Sequence, residues 1–250
     1  MRKGTLATIP GVEPAEYVAA LRREGHRIAA AAEGTLDWVV PSCPEWTVAD
    51  LVWHLGNVHA FWRQIANGTI SGPEAYAEPE RPTGGELVAW FRTGVDETVG
   101  VLERLDPATP AWTWAPEKNV GFIQRRMAQE TTVHCWDVLR AVGRDEPIEA
   151  KLAVDGIDEF LGVCLPSRPT HLEGPPETIH LHATDGDGEW MVRAGDGTSQ
   201  VEQTHGKGDA AVRATASDLL LLLWGRCLPD QVEVHGDQAA LARFLARTDL

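Results

Sequence analysis

Apolar residues recur every three or four positions as far as about residue 141, and every second position from about residue 178 onward. That change of period predicts helices first and strands later. In "EPAEYVAALRREGHRIAAAAEG", Tyr17, Leu21 and Ile28 lie at helical spacing. After the loop "PSCPEWT", Thr47 stands as an N-cap with Asp50 in the capping-box position. The helix beyond it carries Leu51, Leu55, Val58, Trp62 and Ile65 on one stripe and stops near Gly68. A third opens at "TGGE", carries Leu87, Phe91, Val95, Val99 and Leu102, and ends at "DPATP". The fourth runs from about Val120 to Ala141 and closes at Gly143. Four such helices predict a four-helix bundle.

"RDEPIEA" interrupts the pattern, and "KLAVDGIDEFLGVCLP" gives one further helix. The runs "TIHLHAT", "EWMVRAG", "SQVEQT" and "DAAVRAT" then alternate, with "DGDG" between the first two, as an antiparallel meander would. "SDLLLLLWGR" and "DQAALARFLAR" close the chain as helices around a short "VEVHG" strand. The expected fold class is α+β in two domains, a helical bundle over residues 1–148 and a small α+β domain with an antiparallel sheet over residues 149–250.

Composition narrows the partners. A formal charge of −15 argues against nucleic acid or an anionic membrane surface. It also means that an anionic substrate needs a local arginine. Cys43, Cys135, Cys164 and Cys227 are scattered without a CxxC pair, the pattern of reduced thiols in the cytoplasm. The first twenty residues show no continuous apolar core of a signal peptide, and "LLLLLW" is too short to span a bilayer. A cytoplasmic protein, monomeric or a small homo-oligomer, is expected.

The candidate chemistry sits in "QETTVHCWDV", residues 129–138. On a helical wheel at 100° per residue, Met127, Glu130 and His134 fall within about 40° of Ile123, and Asp137 lies at the same margin. His54 lies about 60° from Leu51, at the edge of the second helix's inward stripe, with His59 further round. Two imidazoles and a carboxylate facing a bundle core need coordination or hydrogen bonds. A divalent metal would satisfy all three and keep an open position, the catalytic pattern for zinc. An exposed Arg126–Glu130 ion pair at i,i+4, or a hydrogen-bonded core histidine, would explain the same residues. Asp137 reads equally as a group orienting a ligand imidazole or as an ordinary charge near the helix end.

"CPEWTVADLVWHLGNVHAFW" and "RRMAQETTVHCWDV" resemble the N-terminal bundle of the mycothiol-dependent maleylpyruvate isomerase family, a branch of the DinB-like metal-binding bundles. The strand-rich tail ending "SDLLLLLWGR" resembles that family's C-terminal domain, related in fold to sterol-carrier proteins. The resemblance implies a divalent metal, usually zinc, held by His54, Glu130 and His134, with mycothiol as thiol cosubstrate. Arg226 matches an arginine used near the family's active site; on the residues alone it reads as a cation at a helix C-terminus.

The resemblance thus implies thiol chemistry at a metal. A thiolate adds to a cis double bond conjugated with a carbonyl, the bond rotates, and loss of the thiol leaves fumarylpyruvate from maleylpyruvate. The protein's cysteines are poor nucleophiles for this. Cys135 lies about 120° from the inward stripe, and the others lack a neighbouring base. Two alternatives remain, a mycothiol S-transferase acting on an electrophile and a non-catalytic metal- or ligand-binding protein. Trp53, Trp62 and Trp136 read as pocket walls for a bulkier acceptor or as core. His180 and His182 share a strand face and read as an exposed pair. "DGDGE" at 185–189 reads as a hairpin turn that mimics a calcium loop, and "PEKNV" at 116–120 as a loop near the site's mouth.

Overall fold

Helices begin where the chain supplies caps. In the computed structural model, which describes residues 11–248, Glu13 opens α1 (Pro14–Ala32), and Glu16 accepts from its backbone N–H at 2.8 Å. Val39–Val40 (β1) and Cys43–Thr47 (β2) pair antiparallel, so part of the expected loop before the second helix is strand. Thr47 then caps α2 (Val48–Ala66): its hydroxyl accepts from Asp50 N at 3.3 Å while the Asp50 carboxylate accepts from Thr47 N at 2.9 Å. This reciprocal pair satisfies donors that the first helical turn leaves unbonded. α3 spans Gly85–Leu102. α4 spans Val120–Ala141, where the Asn119 side chain accepts from Phe122 N at 2.9 Å. Asn119 of "PEKNV" therefore has a local structural task.

The chain divides into two compact units, Glu13–Pro147 and Ile148 onward. In the first, α1 packs on α4 and α3, and α2 on α3 and α4, which closes a four-helix bundle. Leu21, Ile28, Leu51, Leu55, Phe91, Val95, Ile123 and Met127 are all fully buried there. Two expectations about faces change. On α2, Leu51, Leu55, Trp62 and Ile65 are buried as expected, while Val58 is only partly so and His59 is buried in addition. Hydropathy passes over His59, which has a buried partner. On α4, Gln124, Arg126, Thr132 and Cys135 are buried along with the apolar residues. This helix is covered nearly all round, so a single-face wheel understates what it brings inside.

In the second unit, α5 (Ala150–Glu159) continues into one π-helical turn, Phe160–Cys164. A five-stranded sheet comes next, built of β3 (Glu177–Ala183), β4 (Glu189–Gly195), β5 (Thr198–Glu202), β6 (Ala210–Ala214) and β7 (Glu233–Gly236). α6 (Ala216–Leu223) comes between β6 and β7, and α7 (Gln238–Thr248) after β7. β3, β4 and β5 form the expected meander, but β6 does not continue it. The order is β5-β4-β3-β6-β7, with β6 parallel to β3. Alternation assigns faces to a strand and leaves its neighbours open. Asp209 N donates to Thr178 O at 2.7 Å, and Thr178 N to the Asp209 carboxylate at 2.8 Å, fastening the incoming strand beside β3. Gly208 permits the approach, since a Cβ there would stand 2.5 Å from Thr178 O.

One face of this sheet buries Ile179, Leu181, Trp190 and Val212 beneath α6 and α7. Glu177, on the same face, is held by Arg243 Nε at 2.7 Å and by Arg247, which also donates to Pro175 O at 2.7 Å. Buried ions persist when paired and hydrogen-bonded in this way. The residues read for a targeting signal lie partly outside the described residues. Among the described residues, no helix is long and apolar enough to cross a membrane.

Gly25 sets how closely α1 meets α3. A Cβ there would stand 2.7 and 2.8 Å from the two γ-carbons of Val95, which is fully buried. Gly25→Ala should therefore destabilise the protein by about 1–3 kcal/mol of overpacking, less the ~1 kcal/mol gain in helix propensity. Urea unfolding measures the balance, and a stabilised variant would show that the contact relaxes freely.

Candidate metal centre

Helical spacing on α4 puts Glu130 and His134 one turn apart on one face, and α2, packed against α4, adds His54. His54 Nε2 and His134 Nε2 lie 3.6 and 3.4 Å from the same oxygen, Glu130 Oε1. One donor atom from each of the three residues falls within 4.8 Å of the others. The two rings meet edge to face, with centroids 5.4 Å apart. A tetrahedral ion about 2.0–2.1 Å from each donor holds its donors roughly 3.4 Å apart, so the donor set fits. Side-chain exposure rises from 11% at His134 through 21% at Glu130 to 37% at His54, which puts the open side at His54.

Each donor is held by a neighbour. The Nδ1 of His134 lies 2.9 Å from Asp137 Oδ2, and fully buried Asp137 also accepts from the Ser42 hydroxyl. With Nδ1–H given to a carboxylate, Nε2 is the nitrogen turned toward Glu130 and the one left to bind an ion once its proton is displaced. Arg126 Nη2 donates to the other oxygen, Glu130 Oε2, at 3.0 Å. The expected Arg126–Glu130 pair thus exists, but Arg126 is buried, so it is not a solvated surface pair. The Trp46 ring backs His54 at 4.9 Å between centroids.

Charge at the site reflects these contacts. Burial raises the Glu130 carboxyl, but Arg126 and the hydrogen bonds from His134 and His54 outweigh it and hold the group well below the carboxylate range. Burial favours neutral His134, yet Asp137 and Glu130 prevail and lift it to about 9. His59 is the opposite case, driven by burial to about 3. Its Nε2 lies 2.8 Å from the Thr131 hydroxyl, which itself donates to Met127 O at 2.6 Å, and the ring stacks on Phe91 at 5.8 Å. His59 is a neutral core histidine.

The other residues singled out in the sequence have varied fates. Cys135 is buried rather than pointing outward, because α1 covers that side of α4; burial above all, then Glu24, pushes its thiol far up. None of the four cysteines is in a disulfide. Trp62 is core, and Trp53 lies 5.0 Å from the Trp90 ring. Arg226 lies in the second unit, where Nη1 donates to Trp224 O at 2.7 Å and the guanidinium sits 5.8 Å from the Trp224 ring. Residues 185–189 join β3 to β4, with Asp185 accepting from Ala216 N at 2.7 Å. Ser42 and Trp46 were missed as contributors. Ser42 is 95 positions from Asp137 and Trp46 precedes the helix, so no periodicity flags either.

Two family profiles match the chain in order. One is described as the mycothiol maleylpyruvate isomerase N-terminal domain, over residues 17–139, and the other as the MDMPI C-terminal domain, over residues 151–243. Among solved structures, the crystal structure of the mycothiol-dependent maleylpyruvate isomerase superposes with a TM-score of 0.61 at 12% identity, over 89% of this chain and 92% of that chain. A His-to-Ala mutant of that isomerase gives 0.60, with the same identity and coverage. At such identity the likeness speaks for the fold. No curated protein matches the chain in sequence.

A metal entering this site must displace the proton that His134 retains up to about pH 9. Apparent zinc affinity should therefore rise about tenfold per unit between roughly pH 7 and 8, with about one proton released per ion. Calorimetry in buffers of different ionisation enthalpy reads both quantities. Uptake independent of pH would show that His134 is already neutral.

Proposed function

Because the chain belongs to the mycothiol maleylpyruvate isomerase family, we propose that it is an enzyme that takes mycothiol as thiol cosubstrate and isomerises maleylpyruvate or a related unsaturated acid. His54, Glu130 and His134 hold a divalent cation of the zinc kind. The observation carrying this reading is the convergence of two imidazole nitrogens and one carboxylate oxygen within 4.8 Å at the open edge of the bundle. Bound there, such an ion supplies Lewis acidity that keeps a small thiol ionised at neutral pH, ready to add to an activated double bond.

The chain's own residues prepare that site. Asp137 holds the His134 tautomer, and Ser42 steadies Asp137. Arg126 occupies Glu130 Oε2, which leaves Oε1 for the cation. Three protein donors leave one coordination position, and His54 marks its accessible side. On this reading the nucleophile comes from outside the chain; burial pushes the Cys135 thiol far up and raises Cys227 to about 11, which makes these two poor nucleophiles. A carboxylate substrate on a protein of charge −15 needs a local cation. On the family resemblance that role goes to Arg226. Four cysteines without a disulfide agree with a reducing cytoplasm.

Half-buried Trp46 beside His54 favours a second reading. An aromatic wall at the open side suits a flat electrophile, and a reaction that leaves the thiol on it, by displacing halide from an aryl halide, would make the protein a mycothiol S-transferase. Zinc-loaded protein with mycothiol, offered maleylpyruvate or an aryl halide in parallel, separates the two. Turnover of neither, together with a large fall in melting temperature on chelation, would point to a non-catalytic metal-binding protein.

His54→Ala should lose the metal and thiol-dependent turnover while melting close to wild type, because His54 is the most exposed of the three donors. Asp137→Asn should weaken metal binding by about 10–100-fold and recover turnover at high metal. Full turnover by metal-free protein would sink the reading.

A further inference from the structure

We propose that the second unit carries its own divalent-metal site, formed by His180, Glu189 and His205. His180 and His182 alternate with Ile179 and Leu181 on β3, so they occupy the sheet face opposite the one α6 and α7 cover. The expectation of an exposed pair does not hold, for His180 is 6% exposed. Across the hairpin, Glu189 of β4 stands in register with His182. The third histidine, His205, comes from the crossover between β5 and β6, the segment that makes β6 parallel to β3.

Three ring nitrogens converge on a single atom. His180 Nε2, His182 Nδ1 and His205 Nδ1 lie 2.9, 3.1 and 2.6 Å from Glu189 Oε1. The donor atoms of His180, Glu189 and His205 fall within 4.8 Å of one another, the same closeness as in the bundle site. One carboxylate oxygen offers about two lone pairs, so three donors cannot all be well directed at it. A cation held between the ring nitrogens and Glu189 Oε1 removes that conflict, because each ring nitrogen then offers a lone pair in place of a proton. Imidazoles with one carboxylate suit zinc, copper or nickel over magnesium or calcium.

The setting differs from the bundle site in a telling way. Strands carry His180, His182 and Glu189, whereas the His205 side chain is 80% exposed on its loop and gives the ion a way in. Three protein donors leave one position, as in the bundle site, and His182 Nδ1 lies 3.1 Å from the same Glu189 oxygen. The ion would tie the β5–β6 crossover to the centre of the sheet.

The test is zinc stoichiometry on the untagged full chain, stripped of metal and then equilibrated with micromolar zinc. Wild type should bind two ions per chain, and His54→Ala one. The pair His180→Gln and His205→Ala should also bind one while keeping whatever thiol-dependent turnover wild type shows. His205→Ala alone alters only an exposed side chain, so it guards against misfolding as the cause. Cobalt substitution should show two tetrahedral absorption signatures in wild type and one in each variant. Saturation of wild type at one ion that His54→Ala abolishes would overturn the second site and leave the bundle site standing. Two ions persisting in the His180/His205 variant would overturn it as well.

Discussion

His134 lies between two carboxylates, Glu130 one turn before it and Asp137 nearly one turn after, at a depth where water cannot stabilise its charge. Removing these groups from solvent costs several kcal/mol unless each is partnered, and the surroundings supply the partners. Arg126 neutralises the far side of Glu130, Ser42 donates to Asp137, and Trp46 backs His54. The result is a preorganised edge of the bundle at which two nitrogens and one oxygen converge.

That demand explains why α4 differs from its neighbours. A helix serving one core needs one apolar stripe, but α4 buries residues on almost every side. Toward α1 it presents Cys135, toward α2 it presents Thr131 and Glu130, and His59 pairs with Thr131 through Nε2 as a neutral imidazole while its buried Nδ1 has no hydrogen-bond partner. Two buried histidines in one bundle therefore behave oppositely. His59 has a hydroxyl and an aromatic neighbour and loses its charge; His134 has two carboxylates and keeps it.

The second unit solves a related problem with a sheet. Crossing β6 back to the far side of β3 makes β3 central, with one face under α6 and α7 and the other carrying histidines. Gly208 and Asp209 make the crossover sterically and electrostatically possible, and His205 rides on it. A continued meander would have left β3 at an edge.

Period, caps and turn residues by themselves determined seven helices, the later strands, and the two-layered grammar of bundle followed by α+β unit, because these depend on contacts within a few residues of one another. Glu130 and His134 were legible for the same reason: one helical turn separates them. Tertiary structure alone decided how near His54 comes to them, that His59 turns to Thr131 instead, that Ser42 and Trp46 support the set, and that β6 lies parallel to β3. Those outcomes depend on which surfaces meet between segments distant in the chain, and no local period encodes the partner. The histidines of β3 show the same division, since alternation put His180 and His182 on one face while only the folded crossover brought His205 to them.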